Sequence, residues 1–354
     1  NKTEGWTFSD RQKMVCTTSA TIAALVGVFF VAACGATGPC DIFEADGAPC
    51  VAAHSTVRAL YNAFDGPLYS VRRESDKQSK DIFVLAAGGF ADSASQDTFC
   101  QGTVCVFDRV YDQTTNQNHL GIGPPGGAHW KKDIPAVATA GPLTVGGKKV
   151  YGIRMDPPSG YRNDTTSGIA VDDEAETIYA VFNGSHYNDR CCFDYGNAET
   201  NDLDDGAGTM EALYFGNAKG GLNHGGAGKG PWIMADMENA LWGADVVKSN
   251  ERPINHDYVT AMIKGDVSTN APGGHWAIKG GDATNGTLKV YWDGKRAPGY
   301  APMKKQGAII LGIGGDNSDG AVGTFYEGVM TKGYTSNAAD EAVQANIVAA
   351  GYGR

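Results

Sequence analysis

The sequence predicts an all-β protein, two antiparallel sheets packed face to face as a sandwich, and three observations point there. Gly accounts for 49 of 354 residues and aromatics for 10%, while only 19% are charged, a balance that suits strands joined by many turns better than a helical bundle. From Gly38 onward the chain is a series of short apolar or alternating runs closed by Gly, Asp, Asn or Pro, which is the pattern of strands and turns. The repeated helices of an αβ barrel, each about ten residues or more, are missing from that series. A chain of this length builds its core without a metal or a coiled partner.

Taken in order, the chain opens on a polar stretch with Arg11 and Lys13, followed by TTSATIAALVGVFFVAA at 17–33. A short apolar centre with a small-residue exit is the pattern of a signal peptide, and it falls short of the roughly 20 apolar residues of a membrane span. We read 1–37 as a leader and expect a secreted, extracellular protein. The run Val31, Ala32, Ala33, Cys34 also permits a lipid anchor at Cys34 if the source is bacterial. The strand-length runs are 80–87, 104–111, 149–155, 177–182, 211–215, 232–238, 257–264, 275–279, 287–292, 308–313 and 324–330. Two stretches have helical spacing, 51–64 and 338–349. In the first, Val51, Val57, Leu60 and Tyr61 recur at near-helical intervals, predicting a short helix on a sheet edge with His54 packed or at the surface. No linker or internal repeat interrupts 38–354, so it reads as one domain.

Leaving aside Cys16 and Cys34 in the leader, six cysteines remain. Many pairings are open to six thiols, and proximity favours Cys40 with Cys50, Cys100 with Cys105, and Cys191 with Cys192. Consecutive Cα atoms lie only about 3.8 Å apart across a trans peptide, below the usual disulfide range. A Cys191–Cys192 bond would therefore close a tight, rigid, mostly apolar ring. No C-x-x-C pair and no histidine cluster at zinc spacing is present, so we expect no metal and no cofactor. Asn163, Asn183 and Asn285 begin N-x-S/T sequons, glycosylation candidates that mark surface loops in a eukaryotic secreted protein. The net charge of −11 argues against nucleic acid or an anionic membrane as partner and is compatible with an uncharged ligand such as a sugar.

Two segments could carry chemistry. In PWIMADMEN (231–239), side chains two apart on a strand share a face, so Trp232, Met234, Asp236 and Glu238 would line one side and Ile233, Ala235 and Met237 the other. Paired carboxylates beneath an aromatic ring are costly to bury without partners, which points to a cleft; an acidic pair on a solvated sheet face is the other reading. In AIILGIGGDNSDG (308–320), the strand should end near Ile313, with Gly314 and Gly315 turning the backbone and Asp316 at the exit. The same residues are also plain turn chemistry, and they lack the oxygen spacing of a familiar calcium loop. Glu211 and Glu327, in strands beside aromatics, are spare acids. Trp276, Tyr291 and Trp292 are core rings or sugar-stacking surfaces.

The motifs GPCDIFEADGAPCVAAHSTVRALY (38–61), ASQDTFC (94–100), HYNDRCCFDYGNAET (186–200), PWIMADMEN (231–239), GAIILGIGGDNSDGAVGTFYEGVM (307–330) and QANIVAA (344–350) together resemble the catalytic domain of glycoside hydrolase family 54, the fungal-type α-L-arabinofuranosidases. The resemblance runs from Gly38 almost to the C-terminus. It implies a concanavalin/laminarin-type, jelly-roll-like sandwich that hydrolyses terminal non-reducing arabinofuranose from arabinoxylan or arabinan side chains. It also implies Glu238 as nucleophile and Asp316 as acid/base, with Asp236, Asn239 and Gly315 as sugar contacts and the Cys191–Cys192 disulfide as part of the subsite floor. Such a retaining pair stands about 5–5.5 Å apart, and mutual repulsion would help keep the acid protonated. The sequence departs from the family in the loop GLNHGGAGKG (221–230), where Asn223 stands near the place of a pocket tryptophan. The family's C-terminal arabinose-binding β-trefoil is not found before Arg354. Plant polysaccharides or oligosaccharides bearing arabinose are the expected partners, and no obligate protein partner is expected. A furanosidase of different sugar choice, a noncatalytic lectin-like sandwich and a structural surface protein are the competing readings.

Overall fold

In the computed structural model, residues 37–219, 226–243, 252–269 and 274–354 are described; the leader with Cys34, and Asn223, lie outside them. Two antiparallel sheets face each other across one main core. In the larger, the strand order is Asn285–Gly294, His275–Asp282, Tyr258–Asp266, Glu176–Asn183, Gly323–Lys332, Lys148–Met155 and Gly141–Val145, with Cys50–Ser55 also paired to Gly323–Lys332. In the second it is Leu241–Trp242, Trp232–Asp236, Glu211–Gly216, Asp194–Ala198, Ala308–Leu311, Tyr161–Asn163 and Gly121–Ile122. The runs expected at 80–87 and 104–111 belong to neither: Ser79–Phe83 and Cys105–Val110 flank Pro67–Arg73 in a separate three-stranded sheet.

Alternation decides what the second sheet shows to each side. Tyr195, Leu213, Phe215, Ile233, Ala235, Ile309 and Leu311 enter the main core. There Phe215 stacks on Phe182 of the larger sheet at 5.8 Å between ring centroids, and Tyr195 meets Phe325 at 5.1 Å. The residues between them face outward, yet they too are buried: Tyr214, Trp232, Met234 and Leu241 form one small cluster, and Ala198, Ala212, Ala308 and Ile310 belong to another. Loops cover this outer face, and the functional pocket lies there.

The helix expected at 51–64 is not formed. Cys50–Ser55 is instead a strand with every residue buried, because it is enclosed on both faces and loses the alternation that would have marked it. His54 is a packed residue, its Nδ1 3.0 Å from Tyr195 Oη and its Nε2 2.8 Å from the Asn118 carbonyl oxygen. The C-terminal helix is present as Asn337–Ala350, started by the Ser336 hydroxyl accepting from the Ala339 N–H and stopped at Gly351, whose φ is 79°. Two short helices, Pro39–Ala45 and Ser93–Phe99, were not expected. All three expected disulfides are formed. Of the sequon asparagines, Asn285 is exposed at the start of the strand Asn285–Gly294. Asn163 and Asn183 are half-buried, their amides donating to the His119 carbonyl oxygen and the Tyr326 hydroxyl.

Candidate active site

The strand Trp232–Asp236 carries Asp236 to the outer face beside Trp232 and Met234, as its alternation required. Glu238 does not extend that strand. The sheet ends at Asp236, and Glu238 and Asn239 form a turn with φ of 66° and 64°. This left-handed pair is held by the Glu238 N–H donating to Asp236 Oδ1 at 3.1 Å and by the Tyr300 hydroxyl donating to the Glu238 carbonyl oxygen at 2.7 Å. Asn239, oriented by its partners, donates to Asp204 Oδ2 at 3.2 Å and accepts from the Ala207 N–H at 3.0 Å.

The second half of the site follows Ala308–Leu311, which ends two residues earlier than the sequence run suggested. The Gly314 N–H donates to the Ser318 carbonyl oxygen, the Ser318 N–H donates to Asp316 Oδ1, both at 3.0 Å, and Asn317 has φ of 63°. Arg162, whose side chain is fully buried, holds this loop from below. Its Nη1 donates to the Gly315 carbonyl oxygen at 2.6 Å and to Asn317 Oδ1 at 2.8 Å, its Nη2 donates to the Glu199 carbonyl oxygen, and its Nε meets Asp164 and Asp202. Sequence reasoning passed over Arg162, singling out only its neighbour Asn163 as a sequon.

These pieces enclose a pocket of about 190 Å³ whose lining includes Cys191, Cys192, Asp236, Glu238, Asn239, Gly314, Gly315, Asp316 and Ser318. Every described candidate contact from the sequence is therefore brought to one place. The Cys191–Cys192 ring lies against Asp236, with Cys192 Sγ 3.4 Å from Asp236 Oδ2, and the Ser318 hydroxyl reaches Cys192 Sγ at 3.7 Å. Gly315 has a steric reason to be glycine: a Cβ there would stand 2.0 Å from Glu199 Oε2 and 3.0 Å from Glu238 Oε2. The loop that carries Asp316 thus packs directly on the Glu238 carboxyl group.

Two further carboxyl groups complete the site, and neither stood out in the sequence. Asp194, on Asp194–Ala198, sits against Asp236, and Glu199, just past the end of that strand, sits against Glu238. Both are fully buried. Glu199 Oε1 accepts from the Thr209 hydroxyl, while its Oε2 and both oxygens of Asp194 find no hydrogen-bond donor. Burial and then the neighbouring carboxylates push Glu238 up to about 10, and burial pushes Asp236 up to about 7. Asp194 and Glu199 are raised as well, burial again first. Two carboxyl groups in contact away from water share a proton, so each pair titrates as a unit.

The spare acids lie elsewhere and are structural. Glu327 accepts from Arg58 at 2.6 and 2.7 Å and from the Tyr179 and Tyr352 hydroxyls. Glu211 accepts from Lys305 at 3.1 Å. Trp276 is buried in the main core.

The chain is thus a two-sheet antiparallel sandwich with a carboxylate-walled pocket on its outer face, and the comparisons show its family. Residues 39–353 match the family described as alpha-L-arabinofuranosidase B, catalytic, and the chain belongs to that family. It is 52% identical over 339 residues to a probable alpha-L-arabinofuranosidase B of Aspergillus flavus, covering 93% of this chain and 65% of that protein. To the alpha-L-arabinofuranosidase B of Aspergillus niger it is 53% identical over 331 residues, covering 91% and 64%. Among solved structures, an arabinofuranosidase complexed with arabinofuranosyl-alpha-1,2-xylobiose aligns with a TM-score of 0.83 at 52% identity, covering 89% of this chain and 66% of that one. A family 54 α-L-arabinofuranosidase soaked with a cyclic sulfate inhibitor aligns with the same score at 51% identity, with the same shares covered. The chain spans about two thirds of the length of these relatives.

Proposed function

We propose that the protein is a retaining, exo-acting α-L-arabinofuranosidase that removes terminal non-reducing arabinofuranosyl groups from arabinoxylan or arabinan side chains. The observation that carries this reading is a small pocket lined by both Glu238 and Asp316 together with the Cys191–Cys192 disulfide. Glu238 attacks the anomeric carbon while Asp316 gives its proton to the leaving oxygen. Asp316 then takes a proton from water as that water releases the sugar from its ester with Glu238.

The nucleophile has to be ionised, although burial raises Glu238. The Glu199–Glu238 pair resolves this when its shared proton rests on Glu199. Glu238 is then an anion accepting a hydrogen bond from Glu199 Oε2, an atom with no other partner. A relative holding arabinofuranosyl-alpha-1,2-xylobiose supports an arabinose-bearing xylan fragment as the substrate class. Three disulfides suit an oxidising compartment, so the proposal extends to export from the cytosol; sequencing the mature N-terminus of protein recovered from the medium checks that part. For the mechanism, proton NMR during the first turnovers on an α-L-arabinofuranoside should show α-arabinofuranose formed first. Initial β-anomer would overturn the retaining assignment.

A further inference from the structure

Outside the pocket lining, His129, Asp133 and Asp319 turn their donor atoms toward one another. His129 Nε2 stands 3.0 Å from Asp319 Oδ2 and 3.6 Å from Asp133 Oδ1, and the three donor atoms lie within 4.8 Å of one another. The Asp133 side chain is fully buried, and neither of its oxygens has a hydrogen-bond donor. A buried carboxylate left in that state is strongly unfavourable, and native interiors rarely contain one without a compensating ion or partner. On one side Oδ2 presses on backbone: a Cβ on Gly123 or Gly160 would stand 2.3 or 2.8 Å from it. What completes the group has to come from the other side, where His129 and Asp319 are. Their side chains are 24% and 21% exposed, which leaves a path from solvent.

We propose that His129, Asp133 and Asp319 bind a divalent cation of the zinc type, with water in the remaining position. One imidazole nitrogen and two carboxylate oxygens are a donor set that suits zinc, and two carboxylates carry the negative charge that a divalent ion cancels. Ligand atoms about 2 Å from zinc at tetrahedral angles stand about 3.3 Å apart, and the distances of 3.0 and 3.6 Å straddle that value. The sequence hides the set because Asp319 comes from a distant loop. Asp319 lies three residues beyond Asp316, and the Ala128 N–H donates to the Asp316 carbonyl oxygen at 2.9 Å. A bound ion would tie the loop of Asp316 to the segment around His129.

The test uses untagged, disulfide-bonded protein dialysed against a chelator, titrated with Zn²⁺ alone in a calorimeter and melted with and without it. The outcome does not depend on which sugar the pocket accepts. Saturable binding of one zinc per chain and a rise of several degrees in melting temperature are expected. Both should be lost in His129→Ala and Asp319→Asn and kept in the control His275→Ala. Asp133→Asn should also abolish the zinc-dependent rise, while the metal-free variant melts at or above wild type because a buried charge is gone. Absence of saturable binding, or binding undiminished in His129→Ala and Asp319→Asn, would overturn the proposal.

Discussion

Glu199 and Glu238 meet carboxyl to carboxyl, the first fully buried and the second partly exposed at the pocket wall, and this contact governs what each residue can do. If Glu199 holds the shared proton, glutamine can replace it, because an amide N–H donates to Glu238 as a carboxylic acid would. Glu199→Gln should therefore keep kcat within several-fold of wild type. Glu199→Ala should lower it by about 10–100-fold, the worth of one hydrogen bond to a charged group. Steady-state kinetics on both variants decide the point, and equal losses would mean that Glu199 is needed as an anion. At Asp316 the expected signature is leaving-group dependence. Asp316→Asn should cost about 10²–10⁴-fold in kcat/KM on arabinofuranosyl xylo-oligosaccharides. It should cost much less in the first step with 4-nitrophenyl α-L-arabinofuranoside, whose leaving group needs no proton.

At the scale of the element, the site is built from a strand end and two loops, and its legibility followed local physics. PWIMADMEN was readable because alternation sorted Ile233, Ala235 and Met237 inward and Asp236 outward. The placement of Glu238 was only half right, since its left-handed turn has no periodic signature. Asp194–Ala198 escaped notice because Asp, Gly and Asn are poor strand formers, although here every residue of that strand is buried. Cys50–Ser55 was misread for the opposite reason, being apolar on both faces. Arg162 acts through bonds to backbone atoms far along the chain, which no local pattern reveals. It makes a pointed prediction: Arg162→Met should leave Asp164, Asp202, the Gly315 carbonyl oxygen and the Asn317 side chain without their shared cation, costing about 3–5 kcal/mol in urea unfolding. Gly315→Ala should fold and lose most activity in kinetic assays, because its Cβ must displace Glu199 or Glu238.

For the whole molecule, a carboxyl cluster on the outer face ties stability to pH. Asp236 is raised by burial to about 7, and Asp194 and Glu199 are raised as well, whereas an unfolded aspartate titrates near about 3.9. The folded state binds these protons more tightly, so the contribution of Asp236 is fully present below about pH 4 and is lost as pH climbs through about 7, and Asp194 and Glu199 act in the same direction. Urea melts between pH 5 and 8 should show falling stability with a slope that flattens in Asp194→Asn. An unchanged slope would mean that the cluster is not a proton store. The fold itself was largely legible because it rests on burial: two sheets, one main core and three local disulfides all follow from patterned apolar runs and cysteine proximity. The three-stranded sheet was not, since nothing in 80–87 or 104–111 says which sheet a strand joins.

The central claim is that Glu238 is the nucleophile of a furanoside hydrolase, and its most direct test is hydrolysis of 4-nitrophenyl α-L-arabinofuranoside by wild type and by Glu238→Gln, both with disulfides intact and melting alike. Rapid turnover by the wild type and a collapse of at least about 10³-fold in the folded variant are predicted, because a neutral glutamine amide cannot attack the anomeric carbon to form the sugar ester. Comparable turnover by both proteins, or none by the wild type, would contradict it.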